Sequence, residues 1–130
     1  MHNLLKYSLV LFVFFTMVVS GQAQNKMPET NPTDCPILTP NAFTPNGDGV
    51  NDFFFMTFKE DCNPISFNLQ IMDRWGRLVF EANDYQKKWD GSFNGQELKD
   101  GAYLWVMSSQ VDVHNERRTY QKKGTVVIIR

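Results

Sequence analysis

Apolar and polar positions alternate most clearly over residues 65–72, where Ile65, Phe67, Leu69 and Ile71 share one face and Ser66, Asn68 and Gln70 the other. A period of two with one dry and one wet face predicts a strand of an antiparallel sheet. Asp73-Arg74-Trp75-Gly76 supplies turn chemistry, and Arg77-Leu78-Val79-Phe80 returns as a hairpin partner. The interval 81–99 is polar and glycine-bearing, with Trp89 and Phe93 as its apolar pegs. After Asp100-Gly101, the run Ala102-Tyr103-Leu104-Trp105-Val106-Met107 is dense enough to predict a strand covered on both faces. A last strand is predicted over 124–130, with residues 126–130 as an edge that a partner's sheet could extend. No window carries a helical stripe. The pattern predicts an all-β chain: an immunoglobulin-like antiparallel β-sandwich over residues 37–130, with a small closed barrel as the alternative.

The amino terminus follows a different rule. Residues 1–8 carry Lys6 and no acid, Leu9 opens an apolar stretch reaching Val19, and Ser20-Gly21-Gln22-Ala23 places small residues at a cleavage site. Residues 1–23 therefore read as a secretory signal peptide. A membrane anchor is the competing reading, but the apolar stretch is shorter than the roughly 20 residues a bilayer requires. No transmembrane segment is expected after it. Residues 24–36 are polar, include Pro28, Pro32 and Pro36, and read as a flexible lead-in.

Charge narrows the class of partner. With 13 basic and 14 acidic residues and a net charge of −1, nothing predicts a nucleic-acid partner or an electrostatically held membrane surface. The pairs Lys87-Lys88, Arg117-Arg118 and Lys122-Lys123 read as solvated strand faces and turn flanks. Two cysteines in a small exported chain predict one disulfide, Cys35 to Cys62, with two unpaired buried thiols as the alternative. Closing that loop would stabilise the fold by roughly 3 kcal/mol in the chain-entropy account.

Candidate chemistry is sparse. Phe43-Thr44-Pro45-Asn46-Gly47-Asp48-Gly49-Val50-Asn51-Asp52 is an ordered loop in composition, since Gly47 and Gly49 permit positive φ and the Asn and Asp side chains can bond their own backbone. Asn46, Asp48 and Asp52 make it a weak calcium candidate, but an EF-hand template fails at Val50, Asn51 and Thr57. His114 lies in a polar stretch without a Gly-x-Ser-x-Gly elbow, and Asp73, Asp90 and Asp100 sit in turns. No catalytic residue, cofactor or small-molecule substrate is predicted. Phe53, Phe54, Phe55, Phe58, Trp75, Phe80, Trp89, Phe93, Tyr103 and Trp105 are expected in the core, although a cluster of Trp75, Trp89 or Trp105 at the surface would favour a sugar-binding face.

Five ordered motifs resemble a known family. The stretch beginning Pro40-Asn41-Ala42 and running through Pro45, Asn46, Gly47, Asp48, Gly49, Asn51 and Asp52 resembles the opening of the gliding motility-associated C-terminal domain. That family is the type B sorting domain of the type IX secretion system. Asp73-Arg74-Trp75-Gly76 with Leu78-Val79-Phe80 is similar to its second motif, and Trp89-Asp90-Gly91 with Asn94-Gly95 to its third. Asp100-Gly101-Ala102-Tyr103 resembles the fourth, and Lys123-Gly124-Thr125-Val126-Val127-Ile128-Ile129-Arg130 the closing one. The resemblance implies a non-enzymatic sorting module that crosses the outer membrane and ends at the surface or outside the cell. Its implied partners are the secretion translocon and a porin-like outer-membrane protein. It also implies a long passenger before the domain, whereas residues 24–39 alone follow the predicted cleavage site, so a free-standing module, a small surface component or a split-gene fragment is expected. An exported immunoglobulin-like adhesin or carbohydrate-binding module is the alternative.

Overall fold

A computed structural model describes residues 34–130; the predicted signal peptide and most of the lead-in lie outside the described residues. Strands account for all the regular structure there, and no helix is present among the described residues. In chain order the strands are β1 (Ile37–Leu38), β2 (Ala42–Phe43), β3 (Thr57–Phe58), β4 (Cys62–Met72), β5 (Leu78–Ala82), β6 (Ser92–Phe93), β7 (Gln96–Glu97), β8 (Gly101–Val113) and β9 (Glu116–Ile128). The main sheet has the order β2-β9-β8-β4-β5, all antiparallel except the β2–β9 pair. Two-stranded pairs β1-β3 and β6-β7 complete the set.

The chain thus begins in one layer, with β1 against β3, and crosses to the other, with β2 against β9. The main sheet is open, bounded by β2 and β5, so the sandwich reading holds and the closed barrel does not. Its inner face carries Phe67, Leu69, Ile71, Tyr103, Trp105, Met107, Val111, Val126 and Ile128, all buried. Covering them are Ile37, Phe54, Met56 and Trp89, with Phe54 and Trp89 joined by two backbone hydrogen bonds of 2.8 and 2.9 Å. Trp89 is the hub, its ring centroid 5.4 Å from both Phe43 and Tyr103 and 6.1 Å from Phe80. Cys35 and Cys62 are bridged, with Cα atoms 5.9 Å apart, which ties the start of the domain to β4.

Four sequence expectations change. Ile65 is 48% exposed rather than in the core, because the β4–β8 register slips between Pro64 and Ser66. That bulge takes Ile65 out of the alternation that Phe67, Leu69 and Ile71 keep. The 102–107 run is covered on one face only: Tyr103, Trp105 and Met107 point in, while Leu104 and Val106 are exposed on the outer face of the sheet. Residues 126–130 are not an open edge, since β8 pairs on one side and β2 occupies the other at Val127 and Ile128. Finally, Trp75 is 82% exposed and Phe53 45%, so neither belongs to the aromatic core.

Candidate functional site

Four of the five motifs, and the last residue of the fifth, meet at one end of the sandwich. The topology dictates this. Met72 at the end of β4 pairs with Leu104 near the start of β8, Gly101 pairs with Ile128 at the end of β9, and Phe43 pairs with the same Ile128. The β4–β5 turn, residues 98–100 leading into β8, the chain terminus and the loop after β2 must therefore project from the same end. The disulfide at Cys62 and the β8–β9 turn lie at the other, because Cys62 pairs with Val113.

Each loop is held by a carboxylate that gathers its own N–H groups. In the 44–52 loop, Asp52 Oδ1 accepts from the N–H groups of Asn46 (3.1 Å) and Gly47 (2.7 Å), and its Oδ2 from that of Gly49 (2.8 Å). Asp48 accepts from the Val50 N–H (2.8 Å) and from Asn46 Nδ2 (3.0 Å), contacts that hold its carboxyl below the usual range. Gly47 and Gly49 take φ of 77° and 87°, and Asn51 54°, which closes the loop with Thr44 N–H on the Asn51 carbonyl at 2.8 Å. The oxygens of Asn46, Asp48 and Asp52 thus serve the loop itself. Among the described residues no three His, Cys, Asp or Glu side chains converge as a cation cage.

In the β4–β5 turn Asp73 is buried and accepts from the N–H groups of Trp75 (2.9 Å) and Arg77 (3.0 Å) and from Arg77 Nε (3.0 Å). Burial pushes its pKa up, but these donors and the Arg77 charge outweigh burial and hold it below the usual value. Gly76 closes the turn by donating to the Asp73 carbonyl at 2.9 Å. Arg74 lies over the exposed Trp75 ring at 5.7 Å. In the third motif, Asp90 accepts from the Ser92 hydroxyl (2.6 Å) and N–H (2.9 Å), which with Arg130 depress its pKa, and the Trp89 indole donates to the Ser92 carbonyl (3.0 Å). Asn94 and Gly95, with φ of 52° and 76°, form the two-residue turn between β6 and β7.

Arg130 locks the terminus to the fourth motif. Its backbone N–H donates to Asp100 Oδ2 at 3.0 Å, and one guanidinium nitrogen donates to the Leu98 carbonyl (2.7 Å) and Asp100 Oδ1 (3.1 Å). Leu98 N–H in turn donates to the Gly91 carbonyl at 2.9 Å, and Ile129 N–H to the Phe43 carbonyl at 3.1 Å. Gly101 opens β8, and the buried Tyr103 donates its hydroxyl to the Lys99 carbonyl at 2.8 Å. Between the Asp73–Arg77 turn and residues 97–103 runs an open groove of ≈ 530 Å³, with Trp75, Arg74, Lys99 and Tyr103 on its walls.

Two predicted motif residues stand apart from this end. Lys123 and Gly124 lie partway along β9, opposite Val106 and Trp105. Lys123 is exposed, and Gly124 lies beneath the Trp105 indole. Sequence reasoning missed Arg77, the Leu98 carbonyl and Glu97, whose carboxylate lies 3.8 Å from Arg130 Nε. Arg77 follows the turn four residues after Asp73, a pairing of opposite charges visible in the sequence, while a backbone carbonyl leaves no such trace. His114 occupies the β8–β9 turn at the far end, exposed, with φ of 53° and Asn115 at 67°. A hollow beside it is lined by Asp61, Asn63, Pro64, Ile65, Asp112 and Asn115, with no serine, threonine or cysteine among them. The surface tryptophan cluster that would favour a sugar-binding face is not formed: Trp89 and Trp105 are buried as expected, at 1% and 8% exposed, leaving Trp75 alone at the surface.

Comparison with known proteins agrees with the motif reading. The chain is similar to the solved structure of CopC from Methylosinus trichosporium OB3b at 19% identity, over 59% of this chain and 74% of that one, with a TM-score of 0.41. No curated protein sequence matches. The family model described as CHU_C type IX secretion signal domain matches residues 37–128, the span that holds all three sheets and all five motifs except Ile129 and Arg130. This chain belongs to the CHU_C type IX secretion signal domain family.

Proposed function

We propose that residues 37–130 form a non-catalytic export address whose readable part is the motif-bearing end of the sandwich. In this reading residues 1–23 direct the chain into the periplasm, residues 24–36 act as a lead-in, and the folded domain is then taken across the outer membrane. A porin-like outer-membrane protein attaches it at the cell surface, in a role connected with gliding motility or adhesion. The observation that carries the reading is the convergence of the motif-bearing turns and Arg130 on one end, beside the exposed Arg74–Trp75 pair. Aromatic residues and arginines are the groups most often found as anchors in protein interfaces.

The test is export of the full chain in a type IX-competent host, with Arg74→Ala, Trp75→Ala and the double variant compared after their thermal stability is matched to wild type. The expected result is wild-type protein outside the cell and folded double variant held in the periplasm. Equal export of the double variant would exclude this end's side chains as the element read. Export from a host lacking the translocon would exclude the type IX route altogether.

A further inference from the structure

Strand β9 is 13 residues long, and β8 pairs with it throughout. On its other side β2 reaches only Val127 and Ile128, so among the described residues 116–126 present an unpaired backbone edge. The register fixes which groups face outward there. Val127 N–H donates to the Asn41 carbonyl and Ile129 N–H to that of Phe43. Alternation along the strand therefore aims the N–H and C=O of Thr125, Lys123, Gln121, Thr119 and Arg117 at the open side. A stretch of that length matches an ordinary strand.

The same edge collects charge. Arg117, Arg118, Lys122 and Lys123 lie on it with Glu116 as the strand's acid, in a chain whose net charge is −1. Arg118 and Lys122 share the face of the buried Val126 and Ile128, while Arg117 and Lys123 share the opposite one, so cations flank the rungs on both sides. Arg118 is held by Glu116 at 3.0 Å, and Asp112 stands opposite Arg117 in the β8 ladder. Lys122 and Lys123 make no ion pair among the described residues.

We infer that the open edge of β9 accepts an extended acidic segment of another protein, which adds as a strand with its carboxylates against Lys122 and Lys123. Backbone rungs supply affinity in this mode, and the flanking charges supply selectivity. A second copy is the wrong occupant, because two such edges would set cations against cations across the new ladder. Lysines on an edge keep identical chains apart. For an acidic strand the same charges become an attraction.

This inference concerns the side of β9 rather than the motif-bearing end, so it stands or falls independently of the export reading. The probe is a peptide of about eight residues alternating Thr and Glu, with a Thr–Lys peptide as control, added to the full chain at low salt. The acidic peptide is expected to slow amide exchange at residues 117–125, and its binding to weaken by about tenfold or more as salt is raised severalfold. Gln121→Pro removes an outward rung without touching the β8 ladder and should abolish binding. Lys122→Glu with Lys123→Glu, both exposed side chains, should reverse the preference toward the lysine peptide, and this pair decides the matter if the proline variant does not fold. No slowing of exchange, equal binding of both peptides, or binding indifferent to the folded proline variant would overturn the inference. Protection of the same amides by raising the protein's own concentration would assign the edge to a second copy instead.

Discussion

Gly124 offers the sharpest test of the packing. It sits within β9 opposite Trp105, in extended backbone that any residue can adopt, so conformational freedom does not explain it. On propensity alone, alanine in a strand should be better than glycine by roughly 0.5–1 kcal/mol. Steric contact argues the other way. A Cβ at Gly124 would lie 2.6 Å from Trp105 Cζ2 and 2.9 Å from Cε2. The indole has little room to retreat, being 8% exposed and packed on the fully buried Phe54 with ring centroids 6.4 Å apart. Overpacking a core by one carbon against a rigid neighbour costs about 1–3 kcal/mol, which exceeds the propensity gain. Gly124→Ala is thus expected to lower the free energy of unfolding, moving Tm down by about 5–10 °C for a domain of this size. Thermal and urea unfolding measure it directly. Trp105→Phe removes the atoms that clash, and the indole N–H it deletes is buried without a partner, so no hydrogen bond is lost. In that background Gly124→Ala should cost much less, giving a coupling of about 1 kcal/mol or more in a double-mutant cycle. A stabilising Gly124→Ala, or the same cost in both backgrounds, would refute the argument.

Gly91→Ala combines two penalties, a φ of 77° and a Cβ 3.3 Å from Phe43 Cζ, Pro45 Cγ and Ile128 Cδ1, and should destabilise by about 1–3 kcal/mol in urea unfolding. Replacing both Cys35 and Cys62 by serine should cost roughly 3 kcal/mol in the same assay, provided the wild type is measured oxidised. Trp75→Ala should leave stability within about 0.5 kcal/mol, because the side chain is 82% exposed. Asp73 predicts the acid limb: its folded pKa is depressed, so its contribution is fully present above the unfolded value of about 3.9 and is lost as pH falls through the folded one. Urea midpoints measured from pH 6 down to pH 2 should therefore fall more steeply for wild type than for Asp73→Asn.

What could be read from the chain was local. The 67–71 alternation and the Asp73–Gly76 turn each carry their determinant within a few residues, and the structure has them where expected. The bulge at Ile65 depends instead on register against Val111 and Gln110, which lie far along the chain. Leu104 and Val106 read as buried because they are apolar, yet only the inner face of β8 has a second layer to meet. The polar run 116–123 carries no apolar period, and becomes strand because β8 offers it a full ladder. At the site, the turn aspartates were legible from Asx chemistry. The partners of Arg130 were not, since two of its acceptors belong to a backbone carbonyl and a carboxylate some 30 positions upstream.

The family motifs divide into two kinds by what their side chains do. Asp48, Asp52, Asp73 and Asp90 hold the backbone of their own turns, Asp100 holds the terminus, and Trp89 and Tyr103 fill the core. Replacing any of these disturbs folding first, and a secretion defect from them would say nothing about recognition. Arg74 and Trp75 differ, because both are displayed and neither supports another element beyond the contact between them. A sequence signature built mostly from the first kind identifies the shape of this end more than its contacts. Two modes of reading remain, one by the contour of the turn backbone and one by the displayed pair. They separate on a single comparison: a folded Arg74→Ala/Trp75→Ala chain leaves the cell if contour is read and stays behind if the pair is.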